Sequence, residues 1–310
     1  MSDSNLNPAA RKLIVAGYDG SEVALHALDW AAAEADRVGA ELLILKALGH
    51  EEVADTAPSQ ALHLRDLVRD SATKSLEQAR TKLSEQYPSI TIRGEVHGGS
   101  PSKVLIQGSE HADLLVVGNR GSGLLKGSLL GSTAFAVTAH ASCPVIVVRG
   151  DEHRPINDIY PVTVAVDGSA GSWYALETAA DWAVEVGAPL RIITAFQIPN
   201  TAQFSTAYVL SLEGADTMVN WAQDQAKALL AEAEERALRY APDLEVNVEA
   251  HLGPASVVLI EISKKSGLLV TGARGRGGFA SLILGSVSRT VMHQSHCPVL
   301  VQKAPAGVTD

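Results

Sequence analysis

The chain has 310 residues, 46% of them hydrophobic and 19% charged, with 35 acidic side chains against 25 basic ones and a net charge of −10. That balance excludes broad electrostatic attachment to nucleic acid or to an anionic membrane, although a local cradle of backbone amides could still hold a phosphate. The longest apolar runs are strand-sized, too short to span a bilayer, and MSDSNLNPAARK lacks the apolar centre of a signal peptide, so a cytoplasmic protein is expected.

In chain order, KLIVAGYD reads as a strand, and Ser21 can cap the helix that follows. Leu25, Leu28, Ala32 and Ala35 recur at helical spacing and predict a helix over 21–38 with one buried face. LLILKAL is a second strand. Val68, Ala72, Leu76, Ala79 and Leu83 mark a second helix that ends before Pro88. ITIRGEVH alternates as a strand, and SPSKVLIQGSEH is a short helix with proline in its first turn. DLLVVG is a wholly apolar strand, as expected where both sheet faces are covered. A glycine-rich segment and a helix follow, and PVIVVR closes the series.

The series then repeats. YDGS at 18–21 answers VDGS at 166–169, and GAEL at 39–42 answers GAPL at 187–190, both at an offset of 148. After six extra residues the offset becomes 154 and holds for His97 with His251, for the glycine segment, and for CPVIVV with CPVLVQ. GDEHRPINDIYP, polar and carrying two prolines, reads as a linker. The expected architecture is α/β, in two tandem doubly wound, Rossmann-like domains over 1–150 and 151–310. Each is expected to be a five-stranded parallel sheet of order 3-2-1-4-5. Such a sheet opens a crevice where the strand order reverses, between the first and fourth strands. That topology predicts Asp19 near Gly118, and Asp167 near Gly272.

The two glycine segments, GNRGSGLLKGSLLGST and GARGRGGFASLILGSV, each read G-x-x-G, nine residues, then G-S. Gly118 and Gly272 end a strand where a Cβ could block a ligand's approach. Gly121 and Gly275 are expected to turn the chain with positive φ. Gly131 with Ser132, and Gly285 with Ser286, open a helix whose free amides and dipole favour an anion. The string is neither a Walker loop nor a first-strand dinucleotide fingerprint.

These residues resemble the universal stress protein family, in its tandem, ATP-binding branch. The likeness rests on YDGS and VDGS, on the two G-x-x-G-x9-G-S strings, and on the CPV lead-in to the fifth strand, and runs from about Lys12 to Lys303. The resemblance implies an adenine-nucleotide site in each half. Asp19 and Asp167 would lie beside the nucleoside, with Gly118, Gly121, Gly272 and Gly275 around ribose and phosphates. Gly131, Ser132, Gly285 and Ser286 would hold the terminal phosphates. It implies backbone contact with adenine near Lys46-Ala47 and Ala195-Phe196, and Mg²⁺ or Mn²⁺ bridging phosphate oxygens. It also implies pairing through the fifth-strand edges, either as a homodimer or between the domains of one chain. The function implied is a stress or growth-state regulator. The alternative is a slow ATPase or self-phosphorylating enzyme, although no general base or P-loop lysine is evident beside a γ-phosphate.

Arg120 and Arg274, inside the motifs, are candidate phosphate partners. Lys126 is weaker, because Ala280 stands opposite it in the repeat. Asp19 could serve instead as a helix cap. His97 and His251 have no second ligand at metal spacing and are expected to be structural, and no metal-binding side chains are proposed. Cys143 and Cys297, at equivalent points, are expected to be buried thiols in separate cores. The segments 48–60 and 197–216 differ between the halves and are candidate lids over the base.

Overall fold

Apolar, β-branched runs become strands and the amphipathic stretches between them become helices, twice over. The structure, a computed structural model, describes residues 13–49, 58–121, 130–150, 154–198, 212–276 and 284–304. It divides into two units, Met1–His153 and Arg154–Asp310. Unit 1 runs β1 (Leu13–Gly17), α1 (Glu22–Val38), β2 (Glu41–Ala47), α2 (Pro58–Gln86), β3 (Ile92–His97), α3 (Pro101–Gly108), β4 (Leu114–Gly118), α4 (Ser132–His140) and β5 (Val145–Val148). Unit 2 runs β6 (Val162–Ala165), α5 (Ala170–Val186), β7 (Leu190–Phe196), α6 (Leu212–Tyr240), β8 (Val246–Leu252), α7 (Ala255–Ser263), β9 (Leu268–Gly272), α8 (Ser286–Gln294) and β10 (Val299–Gln302).

Within unit 1 the strand order is β3-β2-β1-β4-β5, and every pairing is parallel. Within unit 2 it is β8-β7-β6-β9-β10, again parallel. Both are the expected 3-2-1-4-5. The inner strands are buried on both faces: Ile14, Val15, Leu115 and Val116 are fully covered in unit 1, as are Val162, Val164, Leu269 and Val270 in unit 2. That is why these stretches read as continuous apolar runs rather than alternating ones. The repeated GA-L signature also has a cause. Gly39 and Gly187 end their helices in the left-handed conformation, at φ of 68° and 66°. The next amide, of Ala40 or Ala188, closes back on the carbonyl of Ala35 or Ala183.

Two features go beyond what the sequence marks. The second helix begins at Pro58, about three turns before its first predicted apolar position. Residues 58–60 and 212–216 of the candidate lids therefore belong to α2 and α6, while 50–57 and 199–211 lie outside the described residues. The later part of the linker is no free tether. Asn157 Oδ1 accepts the amides of Ile159 and Tyr160, folding a turn that lies against Gly267. A Cβ on Gly267 would sit 2.7 Å from the Tyr160 carbonyl oxygen and 2.8 Å from the Ile156 Cα.

Candidate functional site

In both units the first strand ends in Asp-Gly-Ser, and the same turn results. The Ser21 amide donates to Asp19 Oδ1 at 2.9 Å, and the Ser169 amide to Asp167 Oδ1 at 3.0 Å. The intervening glycines, Gly20 and Gly168, sit at φ of 93° and 81°, where a Cβ would be strained. The serines, not the aspartates, cap the helices: Ser21 Oγ accepts the Ala24 amide, and Ser169 Oγ the Ser172 amide. Each aspartate is thereby fixed at the carboxyl end of the strand, half-buried, with its second oxygen turned toward the glycine segment.

The glycines meet it there. A Cβ on Gly121 would lie 2.6 Å from Asp19 Oδ2, and one on Gly275 would collide with Asp167 Oδ2. Neither glycine has a positive φ, so the expected left-handed turn is corrected. Glycine is required at these positions because an aspartate occupies the space. Gly118 and Gly272 act differently again. A Cβ on Gly118 would stand 2.9 Å from Val23 Cγ1, and one on Gly272 would stand 2.8 Å from the Gly171 carbonyl carbon. Their bareness lets the opening turn of α1 or α5 approach the strand end.

Gly131 and Gly285 are the N-caps of α4 and α8, and neither supplies a side-chain hydrogen bond. Their own amides bond to the carbonyls of Asn119 and Ala273, which draws each helix start back onto its strand end. Ser132 and Ser286 are exposed in the first turn, as are Arg120 and Arg274 in the loop. Each crevice thus combines a carboxylate acceptor with a helix N-terminus that has no side-chain cap, an arrangement able to take hydroxyl donors at one end and an anion at the other. Residues 122–129 and 277–283, including Lys126 and Ala280, lie outside the described residues.

Ala47 ends β2 and Ala195 is the penultimate residue of β7; both are half-buried and pair with His97 and His251. Beside Ala47 is a residue whose side chain sequence reasoning passed over. Lys46 is only 9% exposed, its Nζ lies 4.5 Å from the centre of the Tyr18 ring, and it reaches to 3.6 Å from the Cβ position of Gly20. Burial pushes its ammonium below the ordinary lysine value, and the nearby Asp19 partly offsets this. The signal was a lone cation inside the apolar strand LLILKAL. In unit 2 the equivalent positions hold Val166 and Thr194, and a different cation is present. The Arg276 amide donates to Asp167 Oδ2 at 3.0 Å, and its guanidinium carbon stands 3.3 Å from the Cβ position of Gly168.

The remaining candidates lie apart from this chemistry. His97 and His251 each bond a glutamate two residues earlier on the same edge strand, Glu95 and Glu249. Cys143 and Cys297 are buried thiols, and burial pushes Cys297 up to about 12. Among the described residues no three His, Cys, Asp or Glu side chains are arranged to hold a metal ion, and no helix is long and apolar enough to cross a membrane. A groove between α5 and α6, lined by Trp173, Glu177, Arg236 and Tyr240 among others, includes none of the predicted site residues.

The sequence model described as "Universal stress protein family" matches residues 10–149 and again 160–303. A universal stress protein of Mycolicibacterium smegmatis is 30% identical over 297 residues, covering 93% of this chain and 96% of its own length. One of Mycobacterium tuberculosis is 31% identical over 310 residues, covering 94% and 95%. The crystal structure of a universal stress protein from Archaeoglobus fulgidus superposes with a TM-score of 0.70 at 23% identity, over 96% of this chain and 97% of that one.

Proposed function

The chain belongs to the universal stress protein family, and on that footing we propose that it is an ATP-binding regulator of stress or growth state. It acts in the cytoplasm and carries one adenine-nucleotide site in each of its domains, 1–150 and 151–310. The observation that carries this reading is the doubled crevice. In each unit an aspartate fixed by its own turn faces the second glycine of G-x-x-G, beside a helix that opens on a glycine without a side-chain cap.

In the proposed complex Asp19 and Asp167 accept hydrogen bonds from the nucleoside, and the backbone of Ala47 and Ala195 borders the base. The amides of Gly118, Gly121, Gly272 and Gly275 line the path of the sugar and phosphates. Gly131 and Ser132, or Gly285 and Ser286, hold the phosphate end, where the helix dipole favours negative charge. Arg120 and Arg274 supply charge from the rim. A divalent ion, Mg²⁺ or Mn²⁺, would be held through the phosphate oxygens and would neutralise part of their charge. Copies of the chain, or its two domains, would pair through the β5 and β10 edges. Light scattering of the purified protein tests the homodimer form.

The direct test is to release bound small molecules by heat and identify them. The expected yield is one adenine nucleotide for each unit. Gly118→Glu, whose side chain must displace Val23 and the start of α1, should remove the unit 1 share alone. Full occupancy in that variant would refute the site. Following ADP release in the same preparation separates a binding module from a turning-over enzyme.

A further inference from the structure

We infer that Lys46 is a ligand-binding side chain of the unit 1 crevice, its ammonium grasping an anionic group of the bound molecule, and that Arg276 does the same from a different element in unit 2. The inference rests on the proposed nucleotide sites and deepens them: the contact belongs to the phosphates, and the two sites reach it with cations of separate origin.

Lys46 is nine-tenths buried near the end of β2, on the strand that pairs with β1. Among the described residues its Nζ has neither a hydrogen-bond acceptor nor an ion-pair oxygen within contact distance. What it has is the face of Tyr18, at 4.5 Å from the ring centre, and the field of Asp19. A lysine side chain covered this far, with no acceptor for its ammonium among the described residues, gains little from its charge, and Met of similar length would fill the space as well. A ligand anion entering over Gly20 would supply the missing acceptor.

The comparison with unit 2 is independent support. Unit 2 has Thr194 at the position of Lys46, and unit 1 has Ser122 at the sequence position of Arg276. Each half therefore has one cation of the pair and lacks the other. Lys46 Nζ lies 3.6 Å from the Cβ position of Gly20, and the Arg276 guanidinium carbon lies 3.3 Å from the Cβ position of Gly168. Different strands and loops thus bring a positive charge against the same glycine of the same turn. The neighbouring aspartate attracts Lys46 in unit 1, and a common anion at both places would give the two cations one purpose.

The test uses the full chain and calorimetric titration with ATP and with adenosine, on the parent protein, Lys46→Met and Arg276→Met. Lys46→Met should weaken ATP by about tenfold or more at one of two sites while changing adenosine by less than about threefold. Its ligand-free melting temperature should not fall. Arg276→Met should weaken ATP at the other site, and the double variant at both. ATP affinity within about twofold of the parent in Lys46→Met overturns the inference. So does an equal loss for adenosine and ATP, which would assign Lys46 to the nucleoside, or a lowered melting temperature, which would make it a structural residue. If the parent protein binds no ATP, the nucleotide reading beneath the inference fails with it. ATP binding that ignores both substitutions sinks the inference alone.

Discussion

The two crevices share their backbone and differ in what closes around it. In unit 1 the strand end of β4 packs on a side chain, Val23; in unit 2 the strand end of β9 packs on bare backbone, Gly171. Among the described residues Ser21 Oγ bonds only the Ala24 amide, whereas Ser169 Oγ also donates to Asp167 Oδ1 at 2.6 Å. In unit 1 the cation comes from β2, and in unit 2 from the loop after β9. The difference teaches that duplication has kept the turn that aims the aspartate and the glycine that receives it, while the surrounding support has changed part by part.

The sharpest way to break the comparison is at the strand ends. Gly272→Ala drives a Cβ into main chain that cannot rotate away and should cost about 2–3 kcal/mol. Gly118→Ala meets first a valine methyl, which can move, and should cost about 1 kcal/mol. Urea unfolding followed by tryptophan fluorescence checks this, with Trp182 buried in unit 2 as one reporter. Equal losses would mean that the Val23 side chain is as immovable as the Gly171 backbone.

The caps come next. Ser169→Ala removes a cap and a hydrogen bond to Asp167, and should cost about 2 kcal/mol, against about 1 kcal/mol for Ser21→Ala. Urea midpoints of the two variants, read against the parent, decide it. The smallest effect is expected at Lys46. Lys46→Met should raise stability at neutral pH by only about 0.5 kcal/mol, because the side chain is largely covered while solvent still screens part of its charge. Since burial lowers the ammonium's folded value below its ordinary 10.5, the penalty is fully present below that folded value and fades as pH rises through it toward 10.5. The stability gap between variant and parent should therefore close on the alkaline side. A gap that widens there would mean that the charged form is favoured by the fold.

The sequence carried the strands, their order and the pairing of Asp19 with the glycine segment, because these follow from period, apolar runs and the topology of parallel sheets. It did not carry the reason for Gly121. A glycine that makes room for a neighbouring carboxylate and one that turns with positive φ look alike in a string of letters. The start of α2 was hidden because Arg65, Asp66 and Leu67, just before Val68, are exposed and give no apolar stripe to read. The residues around Tyr160 read as a tether because polarity and proline say nothing of the bare Gly267 that receives them. Lys46 was passed over because one cation in an apolar strand is visible, but its lack of an acceptor among the described residues is a fact of three dimensions.

The close approach of Gly171 to Gly272 bears on how such a duplicated gene can recombine. A Cβ on Gly171 would stand 3.0 Å from the Arg274 carbonyl oxygen. A crossover that imported the unit 1 sequence there would bring Val23's branched side chain into that oxygen. The first turn of α5 and the residues closing β9 can therefore be exchanged only together, as one cassette, and shuffling between the halves is limited to breakpoints that leave this pair intact.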